Sequence, residues 1–364
     1  MRVLLLSIIA KCGVFTHVRE LAVQMQKHGM NPVLGFFHNA ETARTFTTTE
    51  QDLQVMEESL AGVCIFFYTS EEELLQTIEN MNITLVHAHS RLVFSSAIKV
   101  TKHLNVPFVV TLHGILNWSK LYRAEMEMAE CIIAIGPEVA KSAGKEYQKR
   151  ISIILNGIDI ERYQPSKEIK ADNDPLRIIW MGRTSGSAAK GAEYLARAVR
   201  SIQKMGIPIE AKAIGFAHGA DTGNMEVYGW VHDPRPYLQW SQLVFARGRA
   251  LREAMACGNV GLLIGQGYGG LVLPAWFGNK KQTSLSGSLK HGAAAMDVSL
   301  IVKDILYFHE HRNYLDEASI TARRIAEENF NINTMVEQTC YVYQTAITLR
   351  KQKGTNEWGN AGTV

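Results

Sequence analysis

The feature that most constrains this chain is a repeated alternation of short apolar runs with amphipathic helical segments. In the first part, apolar runs predict strands at residues 2–9, 32–37, 63–68, 84–89, 108–114, 131–136 and 151–157. In the second part, they predict strands at residues 176–183, 209–216, 225–231, 243–248 and 260–265. Strands that alternate with helices are joined by right-handed crossovers and form mostly parallel sheets. The pattern therefore predicts an α/β fold with two doubly wound, Rossmann-like domains.

A polar stretch at residues 164–175 interrupts this alternation and is the best linker candidate. A chain of 364 residues is too long for one comfortable hydrophobic core, so two domains are expected. We predict an N-terminal domain at residues 1–165 and a C-terminal domain at residues 166–332. A long helix is predicted at residues 333–352, and the small, polar residues 353–364 are predicted to be disordered.

Composition restricts the classes of function. A hydrophobic content of 46% and a charged content of 20% are typical of a soluble globular protein. The net charge of +3 gives no global argument for a nucleic-acid partner. None of the five cysteines has metal-ligand spacing, which favours reduced thiols in a cytoplasmic protein. The apolar N-terminal run ends at Lys11 and is too short to span a membrane, while peripheral contact with a membrane stays open.

Two cations follow the first strand of the second domain. In doubly wound sheets, ligands bind at the carboxyl ends of strands beside helix N-termini, and two such domains are expected to face each other across a cleft. Arg183 stands at the end of a predicted strand, and Lys190 stands at the start of the next helix. This arrangement suits a diphosphate, because arginine binds it bidentately and lysine adds a point charge. The alternative is a solvated loop with two surface cations.

The segment RGRALREAMACG, residues 247–258, repeats this strand-to-helix arrangement. Arg249 stands near the helix start, and Glu253 follows one turn later, where its carboxylate can accept hydrogen bonds from two neighbouring sugar hydroxyls. The alternative is an i,i+4 ion pair between these two residues, worth only ~0.3 kcal/mol. After the next strand, the GQGYGGL segment with Gly269 and Gly270 offers a backbone that can approach phosphate or sugar closely.

In the first domain, candidate ligand contacts also lie where strands end. Gly13 is in the first strand-to-helix turn, and His113, followed by Gly114, closes a predicted strand. His113 is expected either to donate a hydrogen bond or to carry some positive charge there. The alternative is a structural histidine. His87 and His89 alternate along one strand, so at least one of them is expected to point into the structure.

Several familiar motifs are absent. The Asp-Asn-Asp sequence at residues 172–174 lies in the linker, away from any strand end, so a Mg²⁺ site is not predicted there. No Gly-x-Gly-x-x-Gly follows the first strand and no P-loop sequence occurs, which counts against dinucleotide or ATP binding.

With these pieces in order, the chain resembles the GT-B retaining glycosyltransferases of glycosyltransferase family four. The matching segments, in the order and spacing of that family from residue 1 to about 347, are HVRELAVQMQKHG, VHAHS, VTLHG, AECIIAIGPEVAKSAG, ILNGIDIERYQP, MGR…KG, YGWVHD and EAMACG. The resemblance implies transfer of a sugar, with retention at the anomeric carbon, from a nucleotide-sugar donor. A UDP-sugar is the expected donor, and no metal and no cofactor are expected. It also implies that the final helix crosses back to pack on the N-terminal domain.

The resemblance assigns roles to individual positions. Arg183 and Lys190 match the pair that grips the leaving diphosphate, and Glu253 matches the glutamate that binds the nucleotide ribose. Gly13 matches the glycine turn that faces the donor phosphate and the acceptor, and His113 matches the histidine that contacts the donor sugar near the reacting carbon. Further donor-binding positions implied in the same way are Val231, Arg249, Gly269 and Gly270.

One departure from the family is serious. Such enzymes carry a second glutamate eight residues before the one at the start of EAMACG, and Phe245 stands at that position here. No Asp or Glu occurs at residues 234–252, and the region looks shortened. Two alternatives follow from this loss: Arg247 or Arg249 reads an acidic donor such as a uronic acid, or the chain binds a nucleotide or a partner and catalyses nothing. A nucleotide-sugar epimerase is disfavoured, because no acid/base carboxylates can be placed.

Overall fold

The computed structural model describes residues 1–168, 174–182, 189–215, 220–277 and 284–359. The chain divides into two compact units. Unit 1 consists of Met1–Gly157 together with the segment that starts at Ile332, and unit 2 consists of Ile158–Asn331. No helix among the described residues has the length and apolar character that crossing a membrane requires.

Unit 1 is built on a parallel sheet of seven strands in the described part of the chain, in the order β3-β2-β1-β4-β5-β6-β7. The strands are β1 (Val3–Ile8), β2 (Val33–Phe37), β3 (Cys64–Tyr68), β4 (Leu85–Ala88), β5 (Phe108–Leu112), β6 (Cys131–Ala134) and β7 (Ile151–Ile153). The helices between them are α1 (Gly13–Lys27), α2 (Ala40–Thr45), α3 (Glu50–Glu58), α4 (Glu71–Ile78), α5 (Phe94–Leu104), α6 (Trp118–Leu121), α7 (Arg123–Met128) and α8 (Pro137–Ser142). Short 3-10 turns occupy Arg91–Val93 and Lys145–Arg150.

The sheet of unit 1 is covered on both faces. All six residues of β1 are buried: Leu4 and Leu6 join one apolar cluster, and Val3 and Leu5 join the other. Because side chains alternate along a strand, this division puts the two clusters on opposite faces of the sheet. In α1, the buried residues Val18, Leu21, Ala22 and Met25 follow the helical spacing that presents one apolar stripe to the core.

The last helix, α14 (Ile332–Gly359), packs on unit 1, as predicted. Its residues Val336 and Tyr343 belong to the second apolar cluster of that unit. The helix ends at Gly359, seven residues beyond the predicted end at residue 352. An established helix gains one hydrogen bond for each residue added, which carries it through weak helix formers. Residues 360–364 lie outside the described part.

Unit 2 holds a sheet of six strands in the described part of the chain, in the order β10-β9-β8-β11-β12-β13. The strands are β8 (Leu176–Met181), β9 (Ile209–Ile214), β10 (Glu226–Tyr228), β11 (Leu243–Ala246), β12 (Val260–Ile264) and β13 (Tyr268–Leu271). The helices are α9 (Ala189–Lys204), α10 (Arg235–Trp240), α11 (Gly248–Ala256), α12 (Val298–Glu310) and α13 (Arg312–Asn329), with 3-10 turns at Pro274–Trp276 and Leu289–His291. All neighbours are parallel except β12 and β13.

The boundary between the units lies at Gly157 and Ile158, eight residues before the predicted boundary after residue 165. Hydrogen bonds explain the difference. The backbone N–H of Ile158 donates to the carbonyl of Phe330, and Arg323 donates to the carbonyls of Ile160 and Tyr163. The segment that follows Gly157 is therefore tied to α13 of unit 2.

Candidate functional site

The turn between β11 and α11 is the tightest strand-to-helix connection in the candidate donor-binding region. Only Arg247 separates Ala246, the last residue of the strand, from Gly248, the first residue of the helix. Gly248 has φ of +57°, a left-handed conformation that glycine adopts at little cost, and its N–H donates to the carbonyl of Leu285 at 2.7 Å. This glycine lets the chain turn directly from the sheet into the helix.

Glu253 lies one turn inside α11, and its side chain is buried. Its Oε1 accepts a hydrogen bond from Nε of Arg249 at 2.8 Å and another from the hydroxyl of Tyr163 at 3.2 Å. The i,i+4 ion pair, which the sequence offers as the alternative to a ribose contact, is thus present. Tyr163 was missed by sequence reasoning, because it lies 90 residues away and no spacing rule connects it to the helix.

Positive charge is concentrated around this carboxylate. Arg252 is buried, and its guanidinium lies 4.9 Å from the ring centre of Phe330. Burial, followed by repulsion from Arg249, lowers the pKa of Arg252 to about 10, so this side chain still carries its charge at pH 7. Together with the half-buried Arg247, the first turns of α11 bring three arginines close to one glutamate in sequence.

Phe245 does not occupy a ligand-facing position. It is fully buried in β11, where it pairs with Trp180 of β8 and Leu262 of β12. The residue eight positions before Glu253 is therefore a core residue of the sheet, and no ligand contact is assigned to it. A single residue, Arg247, connects β11 to α11, and this connection carries no acidic side chain.

The predicted diphosphate pair can be described only in part. Lys190 is exposed and is the second residue of α9, and Arg183 lies outside the described residues. Gly191 follows Lys190 and packs tightly on the sheet, since a Cβ there would lie 2.8 Å from the Trp180 ring and 3.2 Å from the carbonyl oxygen of Gly265. This close packing sets where the first turn of α9 begins, and with it the position of the Lys190 backbone.

The remaining donor-binding candidates of unit 2 lie at two sheet edges. Val231 is half-buried and follows β10 by three residues. Gly269 and Gly270 belong to β13, which sequence reasoning did not predict and which pairs antiparallel with β12. Gly270 has φ of +68°, so only this part of the GQGYGGL segment needs glycine for its backbone conformation.

In unit 1, three histidines from different elements come together. His17 lies in α1, His89 follows β4, and His113 follows β5. Nδ1 of His89 is 3.4 Å from Nε2 of His113, and the ring centre of His17 is 4.8 Å from that of His113. Parallel strands β4 and β5 are neighbours, so the residues that follow them are brought to the same edge of the sheet. Sequence reasoning selected His113 alone and did not group it with the other two.

Two histidines of this cluster, His89 and His113, are held in the neutral form. Burial lowers the pKa of His113 to about 3, and burial, followed by the neighbouring histidines, lowers the pKa of His89 well below 6.5. The option that His113 carries positive charge near pH 7 is therefore wrong. Its neutral imidazole offers one donor and one acceptor nitrogen.

His87 has a structural role, as the sequence predicted for at least one histidine of β4. Its Nδ1 lies 2.8 Å from the hydroxyl of Tyr343, and its Nε2 lies 2.7 Å from the hydroxyl of Thr111. Both ring nitrogens are thus engaged, and the contact with Tyr343 ties α14 to the sheet of unit 1.

The backbone at Gly13 has open space beside it, because an added Cβ there would meet no described atom within 4 Å.

Comparisons with known proteins agree with this fold. A family model described as Glycosyltransferase Family 4 matches residues 12–162, and no curated protein sequence matches the chain. A crystal structure of a glycosyltransferase from Rickettsia africae is similar with a TM-score of 0.72 and 15% identity, over 95% of this chain and 98% of that one.

Two further solved structures have the same architecture. Anabaena HepE in complex with UDP and glucose gives a TM-score of 0.69 at 15% identity, over 94% of this chain and 99% of that one. Sucrose-phosphate synthase from Thermosynechococcus elongatus gives 0.64 at 13% identity, over 94% and 98%. The chain therefore has the GT-B fold expected from its sequence, and the family match over residues 12–162 supports a glycosyltransferase-like protein.

Proposed function

We propose that this protein is a retaining, metal-independent glycosyltransferase. It transfers a sugar from a nucleotide-sugar donor, with a UDP-sugar as the donor class, to a glycan, a lipid-linked molecule or a small-molecule acceptor. The expected setting is bacterial-type polysaccharide or glycosylated-metabolite synthesis in the cytoplasm, with peripheral contact to the inner face of the membrane as an option. The UDP class is supported by the HepE structures, which contain UDP, UDP and glucose, or UDP-glucose.

The observation that carries the proposal is the geometry of Glu253. Its carboxylate is buried, held by Arg249 and Tyr163, and located one turn inside a helix that starts directly after a central strand. A carboxylate held in one orientation can accept hydrogen bonds from the two neighbouring hydroxyls of a ribose without losing further side-chain freedom. We assign the ribose contact to Glu253 on this basis, and further donor contacts to Val231, Arg249, Gly269 and Gly270.

The leaving diphosphate is assigned to Arg183 and Lys190. As the bond between the sugar and the diphosphate breaks, negative charge builds up on the leaving oxygen, and fixed cations stabilise that charge most effectively. Lys190 in the first turn of α9 adds its ammonium to the backbone N–H groups of that turn. We propose that these groups supply the charge stabilisation that a metal ion supplies in other transferases.

In unit 1, we assign His113 to the donor sugar and Gly13 to the donor phosphate and acceptor. The neutral His113 ring fits a hydrogen bond to a sugar hydroxyl better than it fits a charge contact. Retention is proposed to proceed by attack on the same face that the diphosphate leaves, through an oxocarbenium-like state. That route needs stabilisation of the leaving group and no covalent carboxylate intermediate.

The test is incubation of the full chain with a panel of nucleotide sugars, scored by nucleotide release and by sugar transfer to candidate acceptors. We expect one donor to be consumed, and Lys190→Ala to reduce its turnover about 100-fold, as removal of one charge-stabilising group does in other enzymes. Lys204→Ala, at the exposed opposite end of the same helix, is the matched control and should keep wild-type turnover. Wild-type turnover by Lys190→Ala would refute the role of that lysine.

A second candidate function follows from the lack of an acid near the start of α11. No Asp or Glu occurs at residues 234–252, so a protein that binds a nucleotide or a partner without catalysis is the alternative. Tight binding of UDP without nucleotide release from any donor would favour it, and turnover of any donor would exclude it. If transfer occurs, a preference for a uronate over the matching neutral hexose would assign Arg247 or Arg249 to an acidic donor.

A further inference from the structure

The histidine cluster of unit 1 brings three imidazole rings around one point. The ring centres of His17, His89 and His113 lie 5.3, 4.8 and 5.6 Å apart, so the three imidazoles surround one point. Taking one ring nitrogen from each residue, all three nitrogens lie within 4.8 Å of one another. Nδ1 of His89 and Nε2 of His113 are 3.4 Å apart.

These separations are close to those of a metal site. A tetrahedral zinc ion with Zn–N bonds of about 2.05 Å holds two ligand nitrogens roughly 3.3 Å apart and their imidazole ring centres roughly 5 Å apart. Small side-chain rotations would therefore bring all three rings into ligating positions. The helix α1 and the two strands β4 and β5 fix the backbone from which these rings project.

His89 provides an independent observation. Its side chain is 1% exposed, and its Nε2 has no hydrogen-bond partner among the described residues. A buried polar nitrogen without a partner is costly and calls for an explanation; since one ion binds only one nitrogen of an imidazole, a ligating His89 uses either Nε2 or Nδ1. The neighbouring His87 ring, centred 3.9 Å away and held by Tyr343 and Thr111, limits how far His89 can turn.

We propose that His17, His89 and His113 form a binding site for Zn²⁺, with three protein ligands and a fourth position for water or an anion. Neutral imidazoles are good ligands for this ion, and three protein ligands with one open position are typical of accessible zinc sites. An entry path exists on this side of unit 1, because His113 is only half-buried and an added Cβ at Gly13 or Gly114 would meet no described atom within 4 Å.

The site has a consequence for activity that rests on the proposed function. If His113 binds Zn²⁺, it cannot at the same time donate a hydrogen bond to the donor sugar through the same nitrogen. Zn²⁺ is thus an inhibitor of transfer, and a chelator restores the rate. Binding of the ion itself does not depend on the proposed function.

The test starts from the full chain after treatment with a chelator and dialysis. Zn²⁺ is titrated in competition with a chromophoric chelator, and Co²⁺ is titrated separately and followed by visible absorption. We expect the chain to take up one Zn²⁺ in competition with the chelator. We expect the Co²⁺ titration to give the strong visible bands of a tetrahedral site. No competition, or only the weak bands of octahedral Co²⁺, would overturn the proposal.

Single variants His17→Asn and His113→Asn identify the ligands. Each should weaken Zn²⁺ binding at least tenfold, because loss of even an outer contact of a metal site costs about 10- to 100-fold. His103→Asn, on the exposed side of α5, is the control and should bind Zn²⁺ as the wild type does. Equal weakening by His103→Asn would show binding to scattered surface histidines and overturn the site. Circular dichroism establishes which variants fold, and the Co²⁺ spectrum of the wild type decides the question if neither does.

The two proposals fail in different ways. Stoichiometric Zn²⁺ binding by a chain that turns over no nucleotide sugar would leave the metal site standing and remove the transferase function. If the chain transfers sugar, binds no Zn²⁺ and is insensitive to Zn²⁺, the transferase function stands and the metal site is removed.

Discussion

Nε of Arg249 donates to Oε1 of Glu253 at 2.8 Å, and the two side chains are only 12% and 7% exposed. The hydroxyl of Tyr163 donates to the same oxygen. The ion pair and the ribose contact, which are alternatives at the level of sequence, are therefore compatible: the pair orients the carboxylate that the nucleotide would use. Because both groups are largely removed from water, the pair is also more sensitive to substitution than a surface pair.

The first prediction concerns this carboxylate. Glu253→Gln should weaken UDP binding about tenfold, since hydrogen bonds to a charged group contribute about 1.5 kcal/mol or more. Tyr163→Phe should weaken it by a smaller factor, because it removes only one of the contacts that orient the carboxylate. Isothermal titration calorimetry measures both.

Glu327→Gln is the matched control for this prediction. It alters another i,i+4 arginine–glutamate pair of unit 2, formed with Arg323 on α13. UDP affinity should not change in this variant. If Glu253→Gln also binds UDP with wild-type affinity, Glu253 has a structural role only.

The second prediction concerns the burial of Phe245 in β11. If Phe245 belonged to a ligand site, Phe245→Glu would be tolerated and would restore the acid of the family. Because Phe245 is fully buried in β11, we expect this change to cost on the order of 4 kcal/mol of unfolding free energy or to prevent folding. Phe245→Leu, which keeps an apolar side chain, should cost about 1.5 kcal/mol. Thermal or urea denaturation of the two variants gives the comparison, and a stable, soluble Phe245→Glu protein would contradict it.

Most of the fold follows from the sequence. Each of the twelve predicted strands contains an observed strand, because continuous apolar runs such as that of β1 fit only a sheet covered on both faces. The strand β13 was missed, since its Tyr-Gly-Gly-Leu sequence is short and glycine-rich, and its pairing depends on contact with β12.

The candidate site could be predicted only where it depends on local order in the sequence. Lys190 lies in the first turn of α9 and Glu253 lies one turn inside α11, and both helices follow strands, as expected from the segments around them. Tyr163 and the grouping of His17 with His89 and His113 required the folded chain, because these contacts join elements far apart in sequence. The place of Phe245 inside a strand follows from the predicted strand at residues 243–248, which contains β11.

The third prediction is a loss of stability in mild acid. In the folded state, burial holds the pKa of His113 at about 3 and the pKa values of His87 and His89 well below 6.5, and the unfolded chain has the ordinary value of 6.5. Below pH 6.5 the unfolded state therefore binds more protons, so the free energy of unfolding falls with pH from about 6.5 towards the folded-state values. We expect His113 to contribute a loss of roughly 2 kcal/mol between pH 7 and pH 5, and His87 and His89 to add to the loss in the same direction.

Hydrogen exchange of amides in β4 and β5, corrected for the intrinsic pH dependence of exchange, measures this loss within unit 1. His113→Asn should remove the contribution of one histidine from the pH dependence of the unfolding free energy. The variant His103→Asn, at an exposed position, should leave that pH dependence unchanged. A wild-type protein with the same protection at pH 7 and pH 5 would show that these histidines are not buried in neutral form.

The most direct test of the central claim compares the affinities for UDP and uridine, because the ratio isolates the diphosphate that Lys190 and its neighbours are proposed to hold. We expect wild type and Lys204→Ala to bind UDP at least tenfold more tightly than uridine, through the charge-assisted bonds that a diphosphate forms. Lys190→Ala should lose most of that ratio and keep its affinity for uridine. An unchanged ratio in Lys190→Ala would contradict the claim that this lysine receives the leaving diphosphate.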